Sequence, residues 1–273
     1  MGLSDFYTEL DRLYGESGSD VEGFLRKVLR RARLAGDKPA EVASANELGS
    51  VLRLRGDLAE AEWLYDTVVR LLESMDVGAE DRARALVNLG DVYVARGRFA
   101  AAVDTFDAAE ALLGDEDGHQ YEMSAICNNR SSALRGMNRF AEAHSDLRRA
   151  GRLLETVPGS DGVRATNAIN LAQVLMDEGR VEEAAEVIVG ALVIYETLNA
   201  GRDVHRPHAL ATAARIAYLR GDYVRAGEFY RMAGKVLREK LGDVPYARLL
   251  EEKARDMYIL ASGGLCERSE GEA

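Results

Sequence analysis

A turn followed by an alanine and a large apolar residue returns along the chain at an almost constant interval. The stretch LRGDLAEAEWLYDTVVRLLE at residues 54–73 comes back as LRGDYVRAGEFYRMAGKVLR at residues 219–238. Aligned on the turn, five copies lie 41, 41, 41 and 42 residues apart, with turn residues Gly56, Gly97, Asn138, Gly179 and Gly221. Asn replaces Gly well where a chain leaves a helix with a positive φ angle, so Asn138 supports the register. A fixed period of this length indicates stacked repeats.

Small and apolar residues recur at fixed distances from each turn. An alanine stands five residues after the turn, a large apolar residue four residues later, and a small residue seven residues before the turn. These positions hold Ala61, Ala102, Ala143, Ala184 and Ala226; Tyr65, Phe106, Leu147, Ile188 and Tyr230; and Gly49, Gly90, Ser131, Ala172 and Ala214. A small residue lets two helices cross closely. Each copy is therefore predicted to be a helix, a tight turn and a second helix, which buries its apolar faces against its neighbours.

Composition agrees with a helical, globular chain. The 273 residues include only 4 prolines, and 47% are hydrophobic while 30% are charged, which predicts an all-α protein. The net charge of -11 opposes binding to nucleic acid or to anionic membranes, so neither partner is expected. The amino terminus has no secretion signal and no apolar run is long enough to span a bilayer, so we expect a cytoplasmic protein.

On these repeat positions, the chain resembles the tetratricopeptide repeat (TPR) family, in the long-repeat variety of kinesin light chains. The resemblance extends from about residue 40 to residue 242 and implies a right-handed α-solenoid of antiparallel helix pairs. We expect one solenoid domain over residues 1–263, followed by a disordered tail at 264–273. Its parts would be a degenerate helix pair at 1–38, five repeats at 39–242 and a capping helix at 243–263. Arg130 stands where the family has leucine, and the sequence gives no reason for it.

Two short motifs that suggest chemistry have simpler structural explanations. The tripeptide RGD occurs at residues 55–57 and 220–222, and both copies coincide with the repeat turn, so a structural role is favoured. The basic run RKVLRRAR at residues 26–33 alternates with apolar residues at helical spacing. It therefore indicates the solvated face of a helix and not a nucleic-acid site.

The sequence predicts no enzyme activity, no cofactor and no bound metal. His205 and His208 have no further ligands at zinc spacing, and Pro207 between them suits the first turn of a helix. Cys127 and Cys266 form no disulfide framework, and Cys127 fills a packing position, so both are expected to be thiols. No phosphate loop, nucleophile elbow or zinc-protease motif is present in the sequence.

Asparagine recurs inside the first helix of three successive repeats. Asn88, Asn129 and Asn170 each stand two residues before the small residue, although asparagine is a mediocre helix former. In the TPR family this face lines a concave groove, and the resemblance implies that such asparagines hydrogen-bond the backbone of a bound extended peptide. The structural alternative is that each asparagine caps or bridges adjacent helices. Further candidates for the groove are Asn46, Asn128, Gln173 and Tyr218.

Charged and apolar residues on the same face suggest what the groove binds. The inner positions carry four arginines against two carboxylates, namely Arg53, Arg84, Arg135 and Arg215 against Glu47 and Asp91. A groove less negative than the rest of the chain favours an acidic peptide or a free carboxylate. Apolar footing is expected from Val87, Val94, Ile169, Met176 and Tyr218.

We therefore expect a protein–protein interaction scaffold that holds an extended, acidic or carboxylate-bearing peptide segment of a partner. Two alternatives stay open at this stage. One is a peptide-sensing regulatory module that acts through a separate output partner. The other is a self-associating scaffold, such as a homodimer.

Overall fold

The computed structural model describes residues 2–16, 18–114, 118–198 and 205–269, the side chains of residues 240, 241 and 264–269 excepted. Within these ranges the ordered secondary structure is α-helical, in thirteen helices. In chain order they are α1 (Leu3–Gly15), α2 (Val21–Ala35), α3 (Lys38–Arg55), α4 (Leu58–Glu73), α5 (Ala79–Ala95), α6 (Phe99–Leu113), α7 (Gln120–Gly136), α8 (Phe140–Leu154), α9 (Asp161–Asp177), α10 (Val181–Thr197), α11 (Arg206–Leu219), α12 (Tyr223–Leu241) and α13 (Pro245–Ser269). The all-α class and the repeated helix pairs are confirmed.

The chain divides into two compact units, residues 1–138 and residues 139–273. The boundary falls at the turn of the third repeat, beside Asn138. The first unit contains α1 to α7 and the second contains α8 to α13. The single solenoid domain expected from the sequence stays a prediction.

The repeat turns have the backbone conformation that the sequence requires. Gly56, Gly97, Gly179 and Gly221 have φ angles of 89°, 71°, 77° and 77°. Asn138 has a φ of 58° and is the one residue other than glycine with a positive φ in the described part of the chain. In the leading pair, however, the positive φ is at Gly18 and not at Gly15, where α1 ends. The extra residues of that turn move the left-handed position three residues along.

In the first unit, consecutive helices pack against each other from α2 to α7, and α1 lies against α2 and α3. The small residue of each repeat explains how closely the pair approaches. A Cβ atom on Gly49 would lie 2.9 Å from the Tyr65 ring, and one on Gly90 would lie 2.6 Å from the Phe106 ring. Contacts this short leave no space for a side chain, so the two helices of each of these pairs approach most closely at the glycine.

In the second unit, α8 packs against α9, the pairs α9–α10 and α11–α12 follow, and α13 packs against α12. Ala247, Leu250 and Ala254 of α13 are buried against Tyr230 and Leu237 of α12. This is the contact expected of a capping helix. Its bounds differ from the prediction, because α13 continues to Ser269 instead of ending at residue 263. Glycine inside a helix costs only about 1 kcal/mol relative to alanine, so the pair Gly263–Gly264 need not end one; residues 270–273 of the predicted tail lie outside the described residues.

The structure shows the positions of three residues that were considered in the sequence as candidates for chemistry. Cys127 is fully buried in α7, as expected for a packing position, whereas the side chain of Cys266 lies outside the described part. Pro207 occupies the first turn of α11, and His208 stacks on Tyr246 with ring centroids 5.6 Å apart.

None of the helices in the described ranges combines the length and the apolar character needed to cross a membrane.

Candidate functional site

The predicted groove asparagines of the first unit include a hydrogen-bonded pair. Nδ2 of Asn88 on α5 donates to Oδ1 of Asn46 on α3, at 2.8 Å. The two residues are half-buried and belong to the first helices of successive repeats. A carboxamide has two N–H donors and two acceptor lone pairs, so this bond uses only part of each side chain. The pair therefore bridges two repeats and retains the capacity to bind a further polar group.

On α7, the two neighbouring asparagines have different environments. Asn129 is half-buried, whereas Asn128 is 2% exposed and its Nδ2 donates to the carbonyl of Ser124 at 3.0 Å. Successive residues of an α-helix are about 100° apart around the axis, so Asn128 can face the interior while its neighbour Asn129 lies nearer the surface. The prediction that Asn128 lines the groove is corrected: its side chain is part of the interior of the first unit.

In the second unit, Asn170 of α9 is half-buried, and Gln173 extends from α9 to α11. Nε2 of Gln173 donates to Oγ1 of Thr212 at 3.4 Å, which links the first helices of two successive repeats as Asn88 does in the first unit. The sequence reasoning missed Asn167, whose Nδ2 donates to the carbonyl of Leu147 on α8 at 3.0 Å. Asn167 precedes Asn170 by three residues, and residues at this spacing are neighbours on a helix surface, so the sequence could have indicated it.

The predicted groove arginines Arg84 and Arg215 pair with carboxylates. Arg215 on α11 pairs with Asp177 on α9 at 2.9 Å, and Arg84 pairs with Asp81, three residues before it on α5, at 3.5 Å. These two aspartates were not counted in the sequence, and with Glu47 and Asp91 they balance the four arginines. Arg84 nevertheless has a side chain that is 65% exposed. Arg53 and Arg135 are half-buried.

Two inner carboxylates of the first unit lie in environments that disfavour their charge. Burial raises the pKa of Asp91 to about 6, and the positive charge of Arg53 opposes this only in part. Burial also raises the pKa of Glu47, and the negative charge of Asp11 adds to the effect. Removing a carboxylate from water costs free energy unless a cation or hydrogen-bond donor compensates.

Two of the apolar residues predicted to contact the ligand are instead buried in the core of the second unit. Ile169 and Met176 are 4% and 5% exposed, so they belong to the core and cannot contact a ligand. Tyr218 is 44% exposed, and its ring centroid is 5.9 Å from that of Tyr223. In the first unit, Val87 and Val94 are half-buried.

An apolar cavity of about 240 Å³ opens beside the asparagine pair of the first unit. Its walls come from α1, α3, α4, α5 and the segment between α4 and α5. Asn46 and Arg84 stand among its lining residues, together with Asp81 and the exposed ring of Tyr7. The remaining lining is apolar and consists of Leu3, Pro39, Val42, Ala43, Val68, Leu72, Met75, Val77 and Ala85. The structure therefore places two predicted site residues next to a cavity that the sequence did not indicate.

The structure also gives a reason for Arg130. Nη1 of Arg130 on α7 donates to Asp107 at 2.5 Å and to Glu110 at 2.6 Å, and both carboxylates are on α6. The arginine side chain is only 13% exposed. Arg130 thus joins two consecutive helices of the first unit through charge-assisted hydrogen bonds where the family has an apolar contact.

These helix pairs, with their left-handed turns, buried alanines and small-residue crossings, define a tetratricopeptide repeat protein, a class of protein-interaction scaffold. The chain belongs to the family of the MalT-like TPR region, whose model matches residues 34–255. No curated protein matches the sequence as a relative.

Solved structures with the same fold cover most of the chain at low sequence identity. BtubC (BKLC) from P. vanneervenii aligns with a TM-score of 0.61 and 19% identity, covering 86% of this chain and 94% of that one. TTC0263, a TPR protein of Thermus thermophilus, aligns with a TM-score of 0.57 and 18% identity, covering 78% and 98%. TPR-like repeats of a Podosopora anserina kinesin light chain give 0.51 and 20%, covering 74% and 98%. Such likeness supports the long-repeat TPR fold.

Proposed function

We propose that the inner face of the first unit binds an extended, acidic peptide segment of a partner protein. The observation that carries this proposal is that Asn46, which is hydrogen-bonded to Asn88, lines an apolar cavity. Polar groups that fix orientation beside an apolar cavity are the usual composition of a binding site.

The asparagines would hold the peptide through its backbone. After the bond between them, Asn46 still has amide N–H donors and Asn88 has its carbonyl acceptor. A peptide unit offers one C=O and one N–H, so an extended segment meets both groups whatever its side chains. Asn129, half-buried on α7 of the same unit, would repeat the contact further along the segment. Asn170 on α9 is the equivalent residue of the second unit.

The cavity and Arg84 would select the peptide's side chains. The cavity has room for one large apolar side chain, whose burial contributes about 1.5 to 3 kcal/mol. Arg84 stands in the same lining and pairs with Asp81 only at the surface. Exposed pairs of this kind contribute about 0 to 1 kcal/mol, so an incoming carboxylate can replace Asp81 as the partner of Arg84.

The experiment is capture of partners from an extract of the native cells on immobilised full-length protein, with identification by mass spectrometry. The wild type is compared with a variant carrying Asn88→Ala, Asn129→Ala and Asn170→Ala. We expect a partner that the wild type retains and the folded triple variant loses. If both proteins retain the same partners, the asparagines have only the bridging role and the proposal fails.

The acidic preference has its own matched control. Arg84 and Arg70 have similar exposure, 65% and 63%, and each pairs with an aspartate on its own helix. Arg84→Ala is expected to weaken binding of the captured partner about tenfold, because a charge-assisted hydrogen bond is lost, and Arg70→Ala on α4 is expected to leave it unchanged. Equal effects of the two substitutions would argue against a carboxylate at Arg84. Self-association and a cytoplasmic location stay predictions.

A further inference from the structure

A second cleft lies on the second helices of the first unit, apart from the asparagine pair on the first helices. Its volume is about 290 Å³. The cleft is formed between α2 and α4, and Leu48 of α3 closes its floor. Its lining residues are Arg26, Leu29, Arg30, Arg33, Leu34, Leu48, Glu60, Trp63 and Leu64, and we call it the arginine–tryptophan cleft.

Large apolar groups stand exposed in this cleft. Trp63 is the only tryptophan of the chain and is 50% exposed, and Leu34 is 81% exposed. The guanidinium of Arg33 lies over the indole ring, 4.9 Å from its centroid. An exposed tryptophan beside arginine is the composition found at the centres of protein interfaces, because both side chains offer apolar area together with a polar edge.

Arginines dominate the lining of the cleft, although carboxylates bind two of them. Three arginines and one glutamate line it, whereas the whole chain has a net charge of -11. Two of the arginines are engaged. Arg26 binds Glu60 through two hydrogen bonds of 2.6 and 2.8 Å and Glu22 at 2.8 Å, and Arg33 binds Glu41 at 2.8 Å. Arg30 is exposed and has no ion pair with any residue that the structure describes. The cleft thus offers one available guanidinium next to apolar surface.

We propose that the arginine–tryptophan cleft is a second docking site, which binds an acidic amphipathic segment of another protein. A carboxylate of the segment pairs with Arg30, and an apolar side chain inserts beside Trp63 and Leu34. Charge complementarity selects this partner: a segment with alternating acidic and apolar residues matches both features of the cleft. The exposed area of Trp63 and Leu34 favours a segment that carries apolar side chains beside its carboxylates.

Trp63 reports binding directly, because it is the only tryptophan. The probe is a synthetic peptide of glutamate and leucine at helical spacing without aromatic residues, titrated into the full-length protein. Binding is expected to shift the tryptophan emission to shorter wavelength as water leaves the ring. The same peptide with glutamine in place of glutamate is expected to bind at least about tenfold more weakly, because it cannot pair with Arg30. Equal binding of the two peptides would overturn the charge assignment.

Two matched pairs of variants locate the site, with a dye-labelled peptide followed by anisotropy. Arg30→Glu is expected to weaken binding about tenfold, whereas Arg31→Glu, the same change one residue away and outside the cleft, weakens it less than about threefold because exposed charges are screened. Leu34→Ser is expected to weaken binding, and Leu54→Ser is not. Leu54 is 71% exposed and outside the cleft, so both changes leave folding intact.

Other occupants give distinct results in the same experiments. Tighter binding of phosphatidylglycerol vesicles or of duplex DNA than of the acidic peptide, with the same dependence on Arg30, would assign the cleft to a phosphate surface and overturn the proposal. Light scattering of the unliganded protein tests a second copy of this chain. A dimer that Arg30→Glu converts to monomer would likewise overturn it, and a monomer that binds the peptide supports it.

Discussion

Gly90 of α5 lies so close to Phe106 of α6 that a Cβ atom on the glycine would be 2.6 Å from the ring. Gly90→Ala is therefore expected to push the two helices apart and to lower the free energy of unfolding by about 1 to 3 kcal/mol. Gly190→Ala is the control, because Gly190 also lies inside a helix and a Cβ atom there would have no other atom within 4 Å. The control should gain about 0.5 to 1 kcal/mol. Urea denaturation of both variants measures the change in the free energy of unfolding. Equal changes would contradict the close contact of α5 with α6 at Gly90.

Asn138 has a left-handed backbone and an exposed side chain. Asn138→Ala is expected to cost about 1 kcal/mol, because a Cβ atom without a compensating polar group disfavours positive φ. Asn138→Gly keeps the conformation without that cost, so its melting temperature should equal or exceed that of the wild type. If alanine and glycine gave the same melting temperature, the backbone conformation would not be the reason for asparagine at this turn.

Arg130 connects α7 to Glu110 and Asp107 on α6. Arg130→Leu restores the residue typical of the family, yet it removes a charge-assisted hydrogen bond of Glu110, whose side chain is only 24% exposed. We expect a loss of about 1 to 3 kcal/mol in the free energy of unfolding, and recovery of part of it when Glu110→Gln is added. Arg31→Leu, at an exposed position of α2, should change stability by less than about 0.5 kcal/mol. A double variant that is no more stable than the single one would show that the ion pair is not the cause.

The pKa of Asp91, raised to about 6 in the folded chain from 3.8, makes stability depend on pH. Between these two values the folded protein binds more protons than the unfolded one, so this group lowers the free energy of unfolding as the pH rises from about 4 to about 6. Asp91→Asn removes the cost of the buried charge, and it should stabilise the protein at pH 7 but not at pH 4.

Chemical denaturation at the two pH values measures the effect of Asp91→Asn. Asp104→Asn is the control, because Asp104 is an exposed carboxylate on the neighbouring helix α6. A stabilisation of Asp91→Asn that is equal at both pH values would contradict the raised pKa.

The turns and crossings could be predicted because each depends on one local requirement. Asn138 fits the register only if the backbone there is left-handed, and Gly90 fits only if a helix lies against it. The asparagine face could be predicted only in part, because a rotation of about 100° separates adjacent helical residues and residue type does not fix the phase. Asn129 and Asn128 therefore looked alike in the sequence, although one is half-buried and the other is in the interior.

Partners that are distant in sequence could not be predicted from residue patterns. Asp177 and Arg215 are 38 residues apart, and their pairing depends on the rise between two repeats. Asp81 and Arg84, in contrast, are three apart on one helix and could have been read as a pair. The cavity beside Asn46 and the arginine–tryptophan cleft also required the structure, because each combines residues from at least three helices.

The contact of Gly90 with Phe106 has a consequence for how such a chain can grow. Both residues belong to the same repeat, so a segment one period long contains both sides of this close contact. Duplication of such a segment in a gene adds a helix pair whose two members already match, and only the contact with the next pair has to adapt. Lengthening by whole periods is therefore an accessible evolutionary step, whereas an insertion of a few residues between Gly90 and Phe106 would separate the glycine from the ring for which it makes room.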